Sequence, residues 1–395
     1  MKKLRLLFSL LTIALFILSA TPVTLAEEDF RYNITNGEVT ITKFGEGLTG
    51  EYAIPETVNG LPVTVISDTA FSYHETRITT IYIPETVKFL GILSAPFQNI
   101  PTLEKIIVDE ENQFFVSDEN GVLYTKDKTE LLQFPQASLI TDYTVASETE
   151  TFLTGAFSGV ENLKTLTVPS SVTDVGGNDF YTGFLNCKNL EKIIVSEENP
   201  AYSSDGNGAL YNKDKSILYY YPSANMQKSF KIPDSVTTCY VGAFNYSIYL
   251  ESVDMNNLNS VFNDVFVRCP VLKEIRVSEK TKEFNINVFS DCPNIEKIYF
   301  EGTNAQWQKM LYPEKDISVY VVCLKKESTK EEITIVQEKT TELTTEQTIP
   351  ETTLEQTETV EAERNENPKI YIIITVALLT LAGAVTVIAF KNKKK

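Results

Sequence analysis

Histidine is all but absent from these 395 residues: His74 is the only one. A Ser-His-Asp or Cys-His catalytic arrangement would have to use it, yet no nucleophile motif lies near it in the chain. His74 therefore reads as a solvent-facing turn residue and the chain as a non-enzyme. No His/Cys metal spacing and no glycine-rich phosphate loop occur, so no cofactor is expected. Basic residues are scarce too, 35 Lys and Arg against 53 Asp and Glu. Seven of those 35 sit at the chain ends, three before Leu6 and four after Phe390, which leaves 28 and a net charge near −25 for the part between. Such an excess argues against nucleic acid and anionic membrane surfaces as partners. The five cysteines are an odd number and cannot all pair.

Long apolar runs occur only at the two ends. Met1-Lys2-Lys3-Leu4-Arg5 precedes an uncharged, largely apolar run from Leu6 to Leu18, and Thr24-Leu25-Ala26 has the small residues of a cleavage site. Residues 1–26 are expected to be a secretory signal peptide; the run is short for a permanent anchor. Residues 370–390 carry no charged side chain. As a helix they span about 31 Å, the thickness of a bilayer core, and soluble helices rarely lack polar residues on every face. Lys391, Lys393, Lys394 and Lys395 mark residues 391–395 as a cytoplasmic tail. Between them, residues 325–369 are rich in Thr and Glu and read as an extended, disordered stalk. Ile349-Pro350-Glu351-Thr352-Thr353 loosely resembles a sortase signal but lacks the final Gly, and the apolar span begins too far downstream. The expected location is the cell surface, with one pass through the cell membrane and the N-terminal domain outside.

The interior is built on a ruler. With a Phe as position zero, apolar or small residues recur at +3, +6, +9 and +11: Phe184 gives Cys187, Leu190, Ile193 and Val195, and Phe266 gives Cys269, Leu272, Ile275 and Val277. Phe97, Phe157, Phe244 and Phe289 begin the same series, and Phe71 does so with one inserted residue. Positions +9 and +11 have the two-residue period of a strand with one buried face. Anchors lie 22 to 27 residues apart where nothing intervenes, a leucine-rich-repeat period in which each unit buries its apolar face against its neighbours. The expected fold is a leucine-rich-repeat solenoid, α/β but β-dominated: a curved parallel β-ladder with short helices or turns.

Two anchor gaps, Phe97 to Phe157 and Phe184 to Phe244, are much longer and hold the same unit 87 residues apart. The first copy runs from Glu110-Glu111-Asn112 through Ser117-Asp118-Glu119-Asn120-Gly121 to Pro135, the second from Glu197-Glu198-Asn199 through Ser204-Asp205-Gly206-Asn207-Gly208 to Pro222. Asn-Gly between β-prone runs signals a hairpin. Inserts at about 109–135 and 196–222 are therefore expected as β-hairpins or small meanders projecting from one edge of the solenoid. Residues 27–70 read as a capping hairpin around Asn36-Gly37 and the approach to the first repeat, residues 71–324 as the repeat domain, with Trp307 closing the last repeat.

These residues resemble the BspA-like leucine-rich-repeat family of surface proteins. The carriers are Tyr32-x-Ile34-x-Asn36-Gly37-x-Val39-Thr40-Ile41, then Ile54-Pro55-x-x-Val58-Asn59-Gly60-x-Pro62-Val63-Thr64-x-Ile66 leading to Ala70-Phe71, the Phe-x-x-Cys-x-x-Leu-x-x-Ile ruler, and Gly302-Thr303-x-x-Gln306-Trp307. The match runs from about Phe30 to Leu324. It implies bacterial surface display and binding to host proteins or cells, and it carries over no catalytic residues. The bare membrane helix and the missing sortase signal depart from the commoner family pattern.

The ruler also accounts for the cysteines. Cys187, Cys269 and Cys292 occupy +3, where Ile100 and Val160 stand elsewhere, and Cys239 lies five before Phe244 as Ile66 does before Phe71. They are expected as buried free thiols serving as small hydrophobes. A bond between Cys269 and Cys292, on stacked repeats, is the exception to test. Asp118-x-Asn120-Gly121 and Asp205-x-Asn207-Gly208 loosely resemble calcium loops but lack the third ligand and the distal Glu, and hairpin turns explain them.

If +9 and +11 point inward, +8 and +10 form the outer strand face. The candidate ligand-binding residues on it are Tyr82, Lys105, Ile107, Thr167, Lys192, Ile194, Arg276, Lys297 and Tyr299, with Lys105, Lys192 and Lys297 as a basic row. Tyr219-Tyr220-Tyr221-Pro222 is a second candidate, with at least one ring packed inward. The leading expectation is a non-enzymatic adhesion or binding protein for an extracellular protein or glycoprotein on a host or neighbouring cell. The alternatives are a surface polysaccharide or glycan-binding module and, remotely, a surface hydrolase.

Overall fold

The structure is a computed structural model. It describes residues 30–326, apart from 46, 72–75, 92–94, 99, 177–182 and 313–319. The signal peptide, nearly all of the stalk, the membrane helix, the tail and His74 lie outside the described residues. Among the described residues no helix is long and apolar enough to cross a membrane.

The chain opens on an antiparallel hairpin, Phe30–Thr35 against Glu38–Phe44. Asn36 and Gly37 both take positive φ, 53° and 80°, which is why Asn-Gly suits this turn. The second strand then runs parallel to Leu61–Ile66 and delivers Phe44 into the core. Phe44 stacks on Phe71 at 4.2 Å between ring centroids, so it is the first anchor of the solenoid. Its distance to the next strand is shorter than the ruler allows, which hid it in the sequence.

From there the predicted register holds. Residues at +9 and +11, such as Ile106 and Val108, Leu166 and Val168, and Ile275 and Val277, are buried on parallel in-register strands. Removing each large aliphatic side chain from water contributes roughly 2 kcal/mol, available only once a neighbouring coil covers it. The anchors form an aromatic column. Phe134, Phe157, Phe184 and Tyr220 follow one another at 5.5–5.6 Å, and Tyr221, Phe244, Phe266 and Phe289 at 4.9–5.6 Å.

The expected single ladder is instead three. The first contains Thr49–Ala53, Arg77–Ile83 and Lys105–Val108; the second Asp142–Thr144, Thr165–Val168 and Lys192–Val195. The third has five strands, Ser229–Lys231, Ser252–Asp254, Glu274–Val277, Lys297–Phe300 and Tyr320–Cys323. The inserts make the breaks. Ile106 N–H donates to Gly121 O at 3.1 Å and Ile193 N–H to Gly208 O at 3.0 Å, hydrogen bonds that a next ladder strand would otherwise take. Gly121 and Gly208 have φ near +77°, and a Cβ on either would meet Lys105 Cγ or Lys192 Cβ at 2.4 or 2.3 Å. Only glycine fits on both counts.

Nor do the inserts project from an edge. Each is an antiparallel meander, Phe115–Ser117, Leu123–Thr125, Glu130–Gln133 in the first and Tyr202–Ser204, Leu210–Asn212, Ile217–Tyr220 in the second. The third strand of each runs parallel to the following coil, Thr151–Phe152 or Thr238–Cys239. Leu123, Tyr124, Leu131 and Phe134 are wholly buried, so the meander is a coil of the solenoid in its own right. The physical reason is that its apolar side chains are too many to leave on an edge. The conserved spacing of Glu-Glu-Asn has a cause as well: Asn112 donates to Pro84 O and Val87 O and accepts from Phe114 and Phe115 N–H, and Asn199 repeats all four bonds with Pro169, Val172, Ala201 and Tyr202. Each Asn pins its insert to the coil before it.

Helix is nearly absent among the described residues. Thr303 caps Asn304–Met310 in a capping box with Gln306, and buried Trp307 packs on Phe284 and Phe300 at 5.1 and 5.4 Å. Trp307 does not end the stack, because Tyr320–Cys323 adds one more rung beyond it.

Candidate ligand-binding face

Side-chain alternation along a strand puts +8 and +10 on the outer face of each ladder. The nine candidate residues fall into three trios, one per ladder. Tyr82 pairs with Ile107 beside Lys105, Thr167 with Ile194 beside Lys192, and Arg276 with Tyr299 beside Lys297. The expected basic row is thus interrupted: an insert lies in the chain between each ladder and the next. The first two trios are equivalent, both ending in Lys-Ile-Ile-Val strands 87 residues apart, with Ile194 42% exposed.

Much of the outer face is paired rung to rung. Tyr82 Oη donates to Glu51 Oε2 at 2.8 Å, Tyr299 Oη to Glu274 Oε1 at 3.4 Å, and Arg276 Nε to Glu301 Oε1 at 2.9 Å. Glu251 sits between Lys273 and Lys228, both at 2.9 Å, and their hydrogen bonds, Lys273 first, hold its carboxyl down at about 2. Lys105 and Lys192 are exposed and make no salt bridge with a described residue. Lys297, on the outer face of the third ladder, likewise makes no salt bridge with a described residue.

The Asp-x-Asn-Gly loops hold themselves. Asp118 Oδ1 accepts from Asn120 and Val122 N–H, and Oδ2 from Tyr143 Oη at 2.7 Å; Asp205 does the same with Asn207, Ala209 and Tyr211. Each carboxylate spends both oxygens on its own hairpin and neighbouring phenols. Burial, followed by the neighbouring Tyr124 hydroxyl at 2.5 Å and the Asp118 charge, pushes the Tyr143 phenol far up, and burial pushes Tyr124 up to about 12.

The cysteines are thiols, four of them buried. They do more than fill space. Cys187 Sγ donates to Phe157 O at 2.9 Å and Cys269 Sγ to Phe244 O at 2.8 Å, each satisfying the anchor carbonyl of the preceding coil. Burial lifts Cys187 to about 12. Cys269 and Cys292 are both free thiols, and Cys292 Sγ donates to Phe266 O at 3.6 Å, the anchor carbonyl of its own preceding coil.

Two features escaped the sequence reading. Leu139 and Met226, 79% and 77% exposed, are equivalent positions 87 residues apart, each three residues before the first strand of a ladder. The spacing that revealed the inserts would have found them had it been carried past Pro135 and Pro222. The second is a cleft of about 250 Å³ beside the second insert: of the candidate run Tyr219-Tyr220-Tyr221, only Tyr219 faces it, Tyr220 and Tyr221 being buried, and its other rings, Tyr202 and Tyr240, come from separate strands or turns that spacing did not connect.

Residues 132–219 and 219–317 match the BspA type Leucine rich repeat region in six copies. The repeat domain belongs to the BspA-type leucine-rich-repeat family. A leucine-rich repeat protein of Eubacterium ventriosum is 21% identical over 70% of this chain and 72% of its own, with a TM-score of 0.45. A leucine rich cell surface protein of Faecalibacterium prausnitzii is 19% identical over 75% and 99%, TM-score 0.39, and the pneumococcal vaccine antigen PcpA 16% over 70% and 81%, TM-score 0.40. No curated protein matches the chain.

Proposed function

We propose that this BspA-type protein is a non-enzymatic binding protein of the cell surface, which grips a protein or glycoprotein on a host or neighbouring cell through the outer faces of its ladders. The observation that carries this is the duplicated outer patch. Lys105 with Ile107 and Lys192 with Ile194 stand at the last rungs of two ladders, and exposed Leu139 and Met226 precede the opening strands of the next. A large apolar side chain left in water twice at equivalent places fits a partner that binds both. The signal-like leader, the Thr/Glu-rich segment at 325–369 and the apolar run at 370–390 support a single-pass tether that holds the domain away from the membrane.

The test is adhesion of cells displaying the full chain to epithelial cells and to immobilised matrix glycoproteins. Lys105→Glu with Lys192→Glu is expected to lower adhesion at least tenfold, and Leu139→Ser with Met226→Ser by a similar factor, at unchanged surface display. Adhesion equal to that of cells without the chain would sink the proposal.

A further inference from the structure

The two inserts are copies, yet one set of equivalent positions has changed character entirely. In the first, Phe115 and Leu132 are buried and Leu153 packs against them. Eighty-seven residues on, the same positions are Tyr202, Tyr219 and Tyr240, and together they line the cleft. The fourth member follows from the Asn pins: Phe89 lies two residues after Val87, which Asn112 holds, and Asp174 two after Val172, which Asn199 holds. So four apolar residues correspond to three tyrosines and an aspartate. Tyr202 meets Tyr219 at 5.6 Å and 71°, and Tyr219 meets Tyr240 at 4.9 Å and 50°, so the rings form angled walls rather than one flat platform. Buried Phe184 and Leu210, with Thr173 and Val175, also line it.

The charged side chain among the described residues lining the cleft is Asp174. Asp174 is exposed, and its charge reaches both the Tyr202 and the Tyr219 hydroxyls and raises their pKa after burial has done so first. Glu130, on the rung beyond Thr151, is also raised, by burial first and then by Asp174. Among the described residues neither carboxylate has a salt bridge. Aromatic faces at steep mutual angles beside an unneutralised carboxylate attract a cation with an apolar skin, at a range of about 6 Å from each ring centroid.

We propose that the Tyr202–Tyr219–Tyr240 cleft is a binding site for an alkylammonium group, with the rings as walls and Asp174 as counter-charge. The site is separate from the ladder faces and stands or falls independently of them. The ammonium belongs either to a lysine side chain or to a methylated ammonium ligand.

The test is calorimetric titration of the full chain, in a non-ionic polyoxyethylene detergent, with tetramethylammonium, N-acetyl-lysine methylamide and, as neutral control, methyl glucoside. At least one cation binds and the glucoside does not. Whichever of the two cations binds more tightly assigns the source. Asp174→Asn weakens cation binding at least tenfold and Tyr219→Leu at least fivefold. Leucine is the residue that the first insert carries at this position, and an unchanged unfolding midpoint separates lost binding from lost fold. The proposal is overturned if no cation binds, if cations bind equally to the three proteins, or if the glucoside binds and Asp174→Asn has no effect.

Discussion

The first and second inserts share a skeleton and differ in what they display. Both are meanders pinned by a four-bonded Asn, both stop a ladder with a glycine, and both contribute an aromatic ring to the central column. What differs is the wall opposite: Phe115, Leu132 and Leu153 close the first apolar core, while Tyr202, Tyr219 and Tyr240 open a polar-edged cleft in the second. Backbone constraints are thus kept where geometry leaves no choice, and side chains vary where a surface can form. Even one bond has been rewired. Tyr143 serves Asp118 in the first, but Phe230 stands at its place in the second, and Tyr211 supplies the hydroxyl to Asp205.

The shared skeleton is most sharply tested at Phe134. An appended hairpin would lose little on Phe134→Ala, whereas a coil of the solenoid loses about 4 kcal/mol, read as a fall in the urea midpoint for the whole domain. Asn112→Ala and Asn199→Ala should each cost roughly 3 kcal/mol, because two carbonyls and two N–H groups are orphaned at either site. Unequal losses would break the equivalence of the two pins. Tyr143→Phe and Tyr211→Phe should cost about 1–2 kcal/mol each, since each leaves one Asp carboxylate oxygen without its phenol.

The smallest effect at neutral pH is an alkaline one. Tyr124 is raised to about 12, with burial as the main cause, and Tyr143 further, so the folded chain holds protons that the unfolded chain releases near 10. Their contribution is complete below pH 10 and falls as pH rises toward 12, because the unfolded state then binds fewer protons. Absorbance at 295 nm should show a group of tyrosines that ionise only together with unfolding. A single smooth titration centred near 10 would contradict it.

Much of the architecture was legible in the chain. The Phe ruler located the inward side chains of the ladders, and the 87-residue echo located both inserts. The Cys positions were readable as buried, though not their bonds to anchor carbonyls, since distance to a carbonyl one coil away has no trace in spacing. The candidate face was read as one surface because alternation tells which way a side chain points and not which strand lies alongside. Lys105 and Lys192 kept their outward aspect and lost their common ladder.

By itself the sequence determined the period, the buried stripe and the duplication, because apolar side chains must recur wherever each coil meets the next. The tertiary structure alone decided that the inserts interrupt the ladder and that three tyrosines and an aspartate share one cleft. Those outcomes depend on which backbone groups pair across 20 or more residues, as Glu130–Gln133 does with Thr151–Phe152, and a local pattern cannot name a distant partner.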